Sequence, residues 1–196
     1  VRAPSVLVFN DSLAAELGFH PQELTTPRMI AAFAGNTNLC DWPSVATVYG
    51  GHQFGGWSPQ LGDGRALLLA DAKNREGALY EVQLKGSGPT PFSRGGDGRA
   101  GVGPVLREYI VSEAMHALGI PTTRSLVAMG TGQPIYRERP RAGAILTRVA
   151  RSHVRVGTFQ YFSSLGDLKS VQRLADFMMT RCYPEALKSG SPYLTL

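Results

Sequence analysis

The apolar positions of this chain change spacing several times, and each change marks an element. In residues 5–10, SVLVFN, a short apolar and β-branched run predicts a strand. SLAAELGF and PQELTTPRMIAAFAG then predict two helices, the second with Pro21 in its first turn, where a missing N–H is tolerated. RALLLAD and LYEVQLK predict strands on their apolar and β-branched content. The clearest helix is PVLREYIVSEAMHAL, with Pro104 expected at its first position, Gly119 just past its end and Pro121 beyond. Leu106, Ile110, Ala114 and Leu118 recur every four residues as its expected core stripe, with Glu108 beside it. RSLVAMG and AGAILTRVA predict two more strands, joined by a polar, solvent-exposed connection, TGQPIYRERPR. A last helix is expected from Asp167 to Cys182 on the spacing of Leu168, Val171, Leu174, Ala175, Met178 and Cys182.

Glycine breaks this pattern twice, in YGGHQFGGWSPQLGDG and in GSGPTPFSRGGDGRAG, and at that density it implies positive φ or close backbone approach. The pentapeptide GDGRA occurs in both places, at residues 62–66 and 96–100, with Lys85 between the copies. Asp-Gly between two apolar runs signals a hairpin turn. A glycine loop with exposed amides that ends in an arginine also suits phosphate oxygens. Both readings stand for the first copy; the second precedes a helix and has no flanking strand partner, which favours the phosphate cradle.

Composition narrows the class. With 196 residues, 43% hydrophobic and 18% charged, the chain is long and apolar enough for a substantial core. No apolar run approaches the ~20 residues of a bilayer span, so a soluble protein is expected. Cys40 and Cys182 lie far apart without metal-ligand spacing, which points to a reducing compartment. The chain opens on Val1 with no leader and stops at GSPYLTL, and is expected to be a fragment. Its net charge of +5 is carried mostly by arginine, whose planar fork suits phosphate and carboxylate.

Three groups of residues could carry chemistry. Lys85 ends a strand and Glu108 lies on the helix after the next loop, the order in which protein kinases pair a lysine and a glutamate to hold nucleotide phosphates. Spacing alone leaves a surface salt bridge, or no contact, open. Arg148, Arg151 and Arg155 form the basic group; in an extended chain Arg148 faces away from the other two, so a turn is needed before all three converge, and a solvated face is the alternative. His20, His52, His116 and His153 have no ligand spacing and are read as structural. There is no GxxxxGK[ST], no supported Rossmann signature, and Ser87 is not in GxSxG.

The strings YGGHQFGGWSPQLGDGRA, QLKGSGPTPFSRGGDGRA, LREYIVSEAMHALGIPTTRSL and GAILTRVARSHVRVGTFQYF closely resemble the selenoprotein O, or YdiU, family of pseudokinase-like protein adenylyltransferases, and the resemblance covers nearly the whole chain. It implies an α+β, protein-kinase-like fold: an antiparallel-sheet N-lobe with an αC-like helix, plus the start of a helical C-lobe. The implied division is 1–45 as supporting helices and strand, 46–160 as the nucleotide-binding lobe, and 161–196 as an incomplete C-lobe. It also implies that ATP is bound in a flipped orientation, with Mg2+ or Mn2+, and that AMP passes to Ser, Thr or Tyr hydroxyls of proteins.

By that resemblance Gly62, Gly64, Arg65, Lys85, Asp97, Gly98, Arg148 and Arg155 match ATP-binding positions, and Glu108 matches the residue that orients the lysine. Lys85, Arg148 and Arg155 would stabilise charge growing on the leaving diphosphate. The family's catalytic aspartate and its metal-binding asparagine and aspartate belong to a later segment, and this chain has no asparagine after Asn74. No catalytic or metal residue is therefore assigned, and the chain alone is expected to be inactive. The expected partners are ATP and hydroxyl-bearing proteins, with no nucleic acid or membrane, for a monomer in the bacterial cytoplasm or a mitochondrion. The alternatives are a phosphotransferase using ATP in its ordinary orientation, a non-catalytic ATP-binding pseudokinase, and a nucleic-acid module. The last lacks RNP, zinc-finger and helix-turn-helix patterns, and its arginines cluster near glycine loops instead of alternating with exposed aromatics.

Overall fold

Strand β1 (Ser5–Phe9) ends at Asn10, whose side-chain oxygen accepts the Leu13 N–H at 3.0 Å and caps α1 (Asp11–Glu16). Two short helices follow, α2 (Pro21–Leu24) and α3 (Pro27–Phe33), where the sequence predicts one. Pro27 is the cause: it lacks an N–H and disfavours helical geometry in the residue before it. Thr26 is accordingly extended, at φ −64° and ψ 151°, and its hydroxyl caps α3 by accepting the Met29 N–H at 3.4 Å. The remaining elements are β2 (Gly51–Gln53), β3 (Gly56–Ser58), β4 (Ala66–Lys73), β5 (Leu79–Lys85), β6 (Ala100–Gly101), α4 (Val102–Ala117), β7 (Arg124–Tyr136), β8 (Pro140–Ala150), α5 (Val156–Ser164), α6 (Leu168–Cys182) and α7 (Pro192–Thr195). This computed structural model describes residues 1–40 and 43–196, which form two units: Val1–Thr47 with Asp63–Ala150, and Val48–Gly62 with Arg151–Leu196.

In the first unit six strands make one antiparallel sheet in the order β1-β7-β8-β5-β4, with β6 paired to β8, so the architecture is α+β. The two-residue period of the strands sorts their side chains to opposite faces. On one face Val149 joins Leu126, Val127 and Met129 in a cluster with Leu13, Leu17, Leu24 and Phe33 of the opening helices. Ile145 and Leu84, on that same face, pack with Leu69. On the other face Ala128, Ala144 and Leu146 pack against Val105 of α4. Helices therefore cover both faces of the central strands.

Helix α4 begins two residues before Pro104, which occupies the third helical position; its N–H would have no intrahelical partner there either. The expected core stripe is not the buried face. Val105 and Ser112 are buried, while Ile110 and Leu118 are 64% and 76% exposed. Residues four apart overshoot one turn by about 40°, so Leu106 and Leu118 point about 120° apart. The connection TGQPIYRERPR is largely strand, because β7 and β8 continue to Tyr136 and Pro140 and bury Ile135.

The second unit holds the β2–β3 hairpin, α5, α6 and α7. The hairpin turns at Phe54 and Gly55, both at positive φ (53° and 80°). Helix α5, rich in aromatic and β-branched residues, gives little sequence signal as a helix. It meets the hairpin through Gly157, where a Cβ would stand 2.1 Å from the Gly50 carbonyl oxygen. Helix α6 starts one residue later than expected because Asp167 is its cap, accepting the Ser170 N–H at 3.0 Å. Among the described residues no helix is long and apolar enough to cross a membrane.

Leu84 is fully buried between Gln83 and Lys85 on the central strand. Leu84→Ala is expected to lower stability by about 2–5 kcal/mol in urea unfolding, and a change below about 1 kcal/mol would contradict its placement in the core.

Candidate functional site

Gln83 and Lys85 share one face of β5, and the antiparallel register sets Arg148 of β8 directly opposite Gln83. Helix α4 covers that face and brings Glu108 to it. The Glu108 carboxylate accepts from Lys85 Nζ at 2.5 Å through Oε2 and from Arg148 Nη1 at 3.2 Å through Oε1. Arg148 Nη2 also donates to Gln83 Oε1. Gln83 Nε2 in turn donates to Asp63 Oδ2 at 3.4 Å, and the same oxygen accepts from Thr47 Oγ1 at 2.5 Å. Gln83, Arg148 and Asp63 are all buried, so this is a chain of hydrogen bonds through the interior. It opens to solvent at Lys85, whose side chain is 26% exposed.

Burial holds the Lys85 amine below its ordinary range; the Glu108 hydrogen bond and charge restore part of that, while the charges of Arg148 and Arg65 lower it further. Burial pushes Glu108 the other way, up, but hydrogen bonds and charge from Lys85 and Arg148 outweigh it and keep the carboxyl below its ordinary value. An ammonium has three donor directions, and the one on Glu108 leaves two. Lys85 is thus a partly exposed cation, held in place by a carboxylate and disfavoured by its surroundings, which an added anion would stabilise.

The two pentapeptides fold differently. No hairpin forms at the first. Gly62 is at φ +67°, and the buried Asp63 donates its N–H to Thr47 O at 2.9 Å. The carbonyls of Asp63 and Gly64 accept from Thr90 Oγ1 at 2.6 Å and Ser93 Oγ at 2.5 Å, and a Cβ on Gly64 would meet the Phe92 oxygen at 2.8 Å. In the second copy Asp97 points outward: Oδ1 accepts the Arg99 N–H at 3.0 Å, and both oxygens are held by Arg137, at 2.8 and 3.0 Å. The Arg137 hydrogen bonds keep Asp97 below its ordinary carboxyl range. Gly98, at φ +61°, lies against Gly88, where a Cβ would stand 1.9 Å from the carbonyl oxygen. Both copies therefore lean on the loop at residues 88–93.

The structure brings Lys85, Glu108 and Arg148 into contact. Arg65 joins β4 beside them, its carbonyl accepting the Gly86 N–H at 2.7 Å and its side chain exposed. Gly62 and Arg155 belong to the second unit, where both meet Tyr49: the Gly62 N–H donates to its carbonyl at 3.3 Å, and the Arg155 guanidinium lies 4.8 Å over its ring. Arg151 accepts from Arg181 Nε at its carbonyl, at 3.0 Å. Sequence reasoning missed Gln83, Asp63, Thr47, Arg137 and Tyr49. The polar Gln83 two residues before Lys85 in an otherwise apolar strand was a legible signal; the others depend on long-range contacts. The rings of His52 and Trp57 lie 5.1 Å apart with their planes tilted by 59°, and His20 donates its backbone N–H to Glu23 Oε2 at 3.2 Å. Among the described residues no three His, Cys, Asp or Glu side chains group as a metal site.

Glu108→Gln is expected to cost about 1–3 kcal/mol at neutral pH, because it leaves Lys85 and Arg148 facing each other without the shared carboxylate. The folded carboxyl is depressed, so the gap to wild type is fully present above the ordinary value of 4.5 and closes as pH falls through the depressed one. Lys85→Met is expected to leave stability unchanged or raise it, since a charged amine that burial disfavours weakens the folded state at every pH below its folded pKa. Urea unfolding of the three proteins at pH 7 and pH 3 reads both effects; a Glu108→Gln gap that persists unchanged at pH 3 would contradict the assignment.

A family model described as protein adenylyltransferase SelO matches residues 2–196. A protein nucleotidyltransferase YdiU of Rhizobium johnstonii is 55% identical over 196 residues, covering 100% of this chain and 39% of that protein. Its counterparts in Rhodopseudomonas palustris and Rhizobium rhizogenes are each 57% identical over 196 residues, covering 100% of this chain and 40% and 39% of theirs. The chain spans about two-fifths of the length of these curated relatives. With the family match running through the sheet, the clamped lysine and both glycine loops, the chain belongs to the SelO family of protein adenylyltransferases.

Proposed function

We propose that this chain grips the nucleotide in an ATP-dependent protein adenylyltransferase with a protein-kinase-like fold, transferring AMP to Ser, Thr or Tyr hydroxyls of proteins. The observation that carries the reading is the Lys85–Glu108–Arg148 clamp, at 2.5 and 3.2 Å. It presents a strand lysine held by a glutamate of the helix packed on the sheet, as nucleotide phosphates require in kinases. In this reading residues 1–45 support the sheet, 46–160 form the nucleotide lobe with α4 as its αC-like helix, and 161–196 begin a helical lobe. Gly62, Gly64, Arg65, Asp97, Gly98 and Arg155 complete the ATP contacts.

Adenylyl transfer joins an acceptor oxygen to the α-phosphorus and breaks the bond to the β-phosphate bridging oxygen, so charge grows on the departing diphosphate. Lys85 and Arg148 act there without covalent chemistry: their positions are fixed before the reaction, and their charge is worth more in a partly dry site than in water. Glu108 positions both. Mg2+ or Mn2+ would supply further charge neutralisation when bound; among the described residues no three His, Cys, Asp or Glu side chains group to hold it.

Lys85→Met is expected to weaken ATP binding about 10- to 100-fold in calorimetric titration, as loss of a charged hydrogen bond does. In the whole protein, label from α-labelled ATP is expected on an acceptor protein and label from γ-labelled ATP is not. Transfer of the γ-label would replace this reading with an ordinary phosphotransferase; ATP binding that Lys85→Met does not weaken would remove the clamp from the nucleotide site.

A further inference from the structure

A second concentration of cations lies outside the clamp. Five arginines, Arg65, Arg99, Arg107, Arg137 and Arg141, line an open cleft of about 830 Å³ at the N-terminus of α4, with Glu138 as the acid among the lining residues. We propose that this cleft binds a small phosphoanion, with inorganic diphosphate as the best-fitting occupant.

Two of the arginines are anchored and three are not. Arg137 is fixed by Asp97 and by the Arg99 carbonyl at 3.0 Å, and Arg99 Nη1 donates to Gln133 Oε1 at 3.3 Å. Arg65, Arg107 and Arg141 are exposed, and none has a side-chain hydrogen bond or ion pair to a described residue. Unpaired guanidiniums around a concavity repel one another unless an anion sits between them, and their planar forks match phosphate oxygens. The helix end adds to this. The N-cap of α4 is Gly101, which has no side chain to occupy the first-turn amides of Val102 and Gly103, and both of these residues line the cleft. A Cβ on Gly103 would meet nothing within 4 Å, so a side chain placed there would project into open space. Several cations spread along one cleft favour an anion with two linked charged groups over a single one.

The intact chain, titrated calorimetrically with sodium diphosphate, orthophosphate and citrate, tests this. Diphosphate is expected to bind more tightly than orthophosphate, and to bind still in the Lys85→Met background, which separates the cleft from the nucleotide clamp. In that background the double substitution Arg107→Gln with Arg141→Gln is expected to weaken diphosphate at least tenfold. Gly103→Asp is a control with opposite signs: it raises helix stability by placing a carboxylate near the helix N-terminus and removing a glycine, yet it fills the anion's place and is expected to weaken diphosphate as well. Diphosphate binding that disappears with Lys85→Met alone overturns the proposal, as does affinity that neither cleft variant changes. Equal binding of citrate overturns the phosphoanion assignment in favour of charge alone.

Discussion

Glu108 lies between two cations that would otherwise face each other, and this fixes how α4 is held against β5 and β8. Two unit charges about 4 Å apart at an effective dielectric near 20 repel by roughly 4 kcal/mol. A carboxylate bonded to Lys85 through one oxygen and Arg148 through the other turns that repulsion into a tie between α4, β5 and β8. The tie works in one register alone. Gln83 faces Arg148, and Lys85 is the next residue on that face; a one-residue slip of β5 would send both to the opposite side of the sheet. Strand pairing and the placement of the lysine are thus one constraint.

The apolar packing enforces the same register. Leu84, between the two polar residues, points into the cluster with Leu69 and Ile145, while Leu146 and Ala144 face α4. A strand that reads polar, apolar, polar at residues 83–85 in the middle of a buried sheet is stable when each polar group finds a partner, and here the Gln83 amide is used at both ends, by Arg148 and by Asp63. That explains why Asp63 is drawn inside. The first GDGRA cannot serve as a free hairpin turn because its aspartate is the far end of a buried chain of hydrogen bonds, whereas the aspartate of the second copy reaches an arginine on the surface. The same five residues take different conformations because their long-range partners differ.

This also marks how far sequence carries. The five longer strands were legible from their apolar content, the last helix from its spacing, and the end of α4 from Gly119, which sits at φ +75°; the short β2, β3 and β6 lie in stretches that read as glycine loops. The order of Lys85 and Glu108 pointed to a pair, but that order permits contact without requiring it; the register of β5 on β8 and the packing of α4 decided it. The core face of α4 was misread because a four-residue repeat winds around a helix; packing on Ala128, Ala144 and Leu146 selects Val105, and a hydrogen bond with Ser125 Oγ at 2.7 Å holds Ser112. Thr26-Pro27 broke a helix that apolar spacing ran through, a case where a local steric rule outweighs periodicity. Helix α5 escaped notice because its residues have weak helix propensity, and it is held by Gly157 against Gly50, a contact between residues more than a hundred positions apart.

The cations of the clamp and the exposed arginines of the cleft are of two physical kinds, and the difference bears on what each can do. Arg148 is buried and bonded to Glu108 and Gln83, so its orientation is set before any ligand arrives. Lys85 is fixed at one of its donors and partly exposed at the rest. Groups preset in this way lose little entropy when an anion binds, and they suit charge that develops during a reaction. Arg65, Arg107 and Arg141 are exposed, with no side-chain hydrogen bond or ion pair to a described residue to fix their orientation. Salt screens such exposed guanidiniums in a way that a buried one escapes. Arg65 belongs to both settings: its backbone is bonded beside Lys85, its charge acts on that amine, and its side chain lines the outer cleft. Arg65 is thus the cation shared by the two settings, acting by charge on the Lys85 amine and lining the cleft outside it.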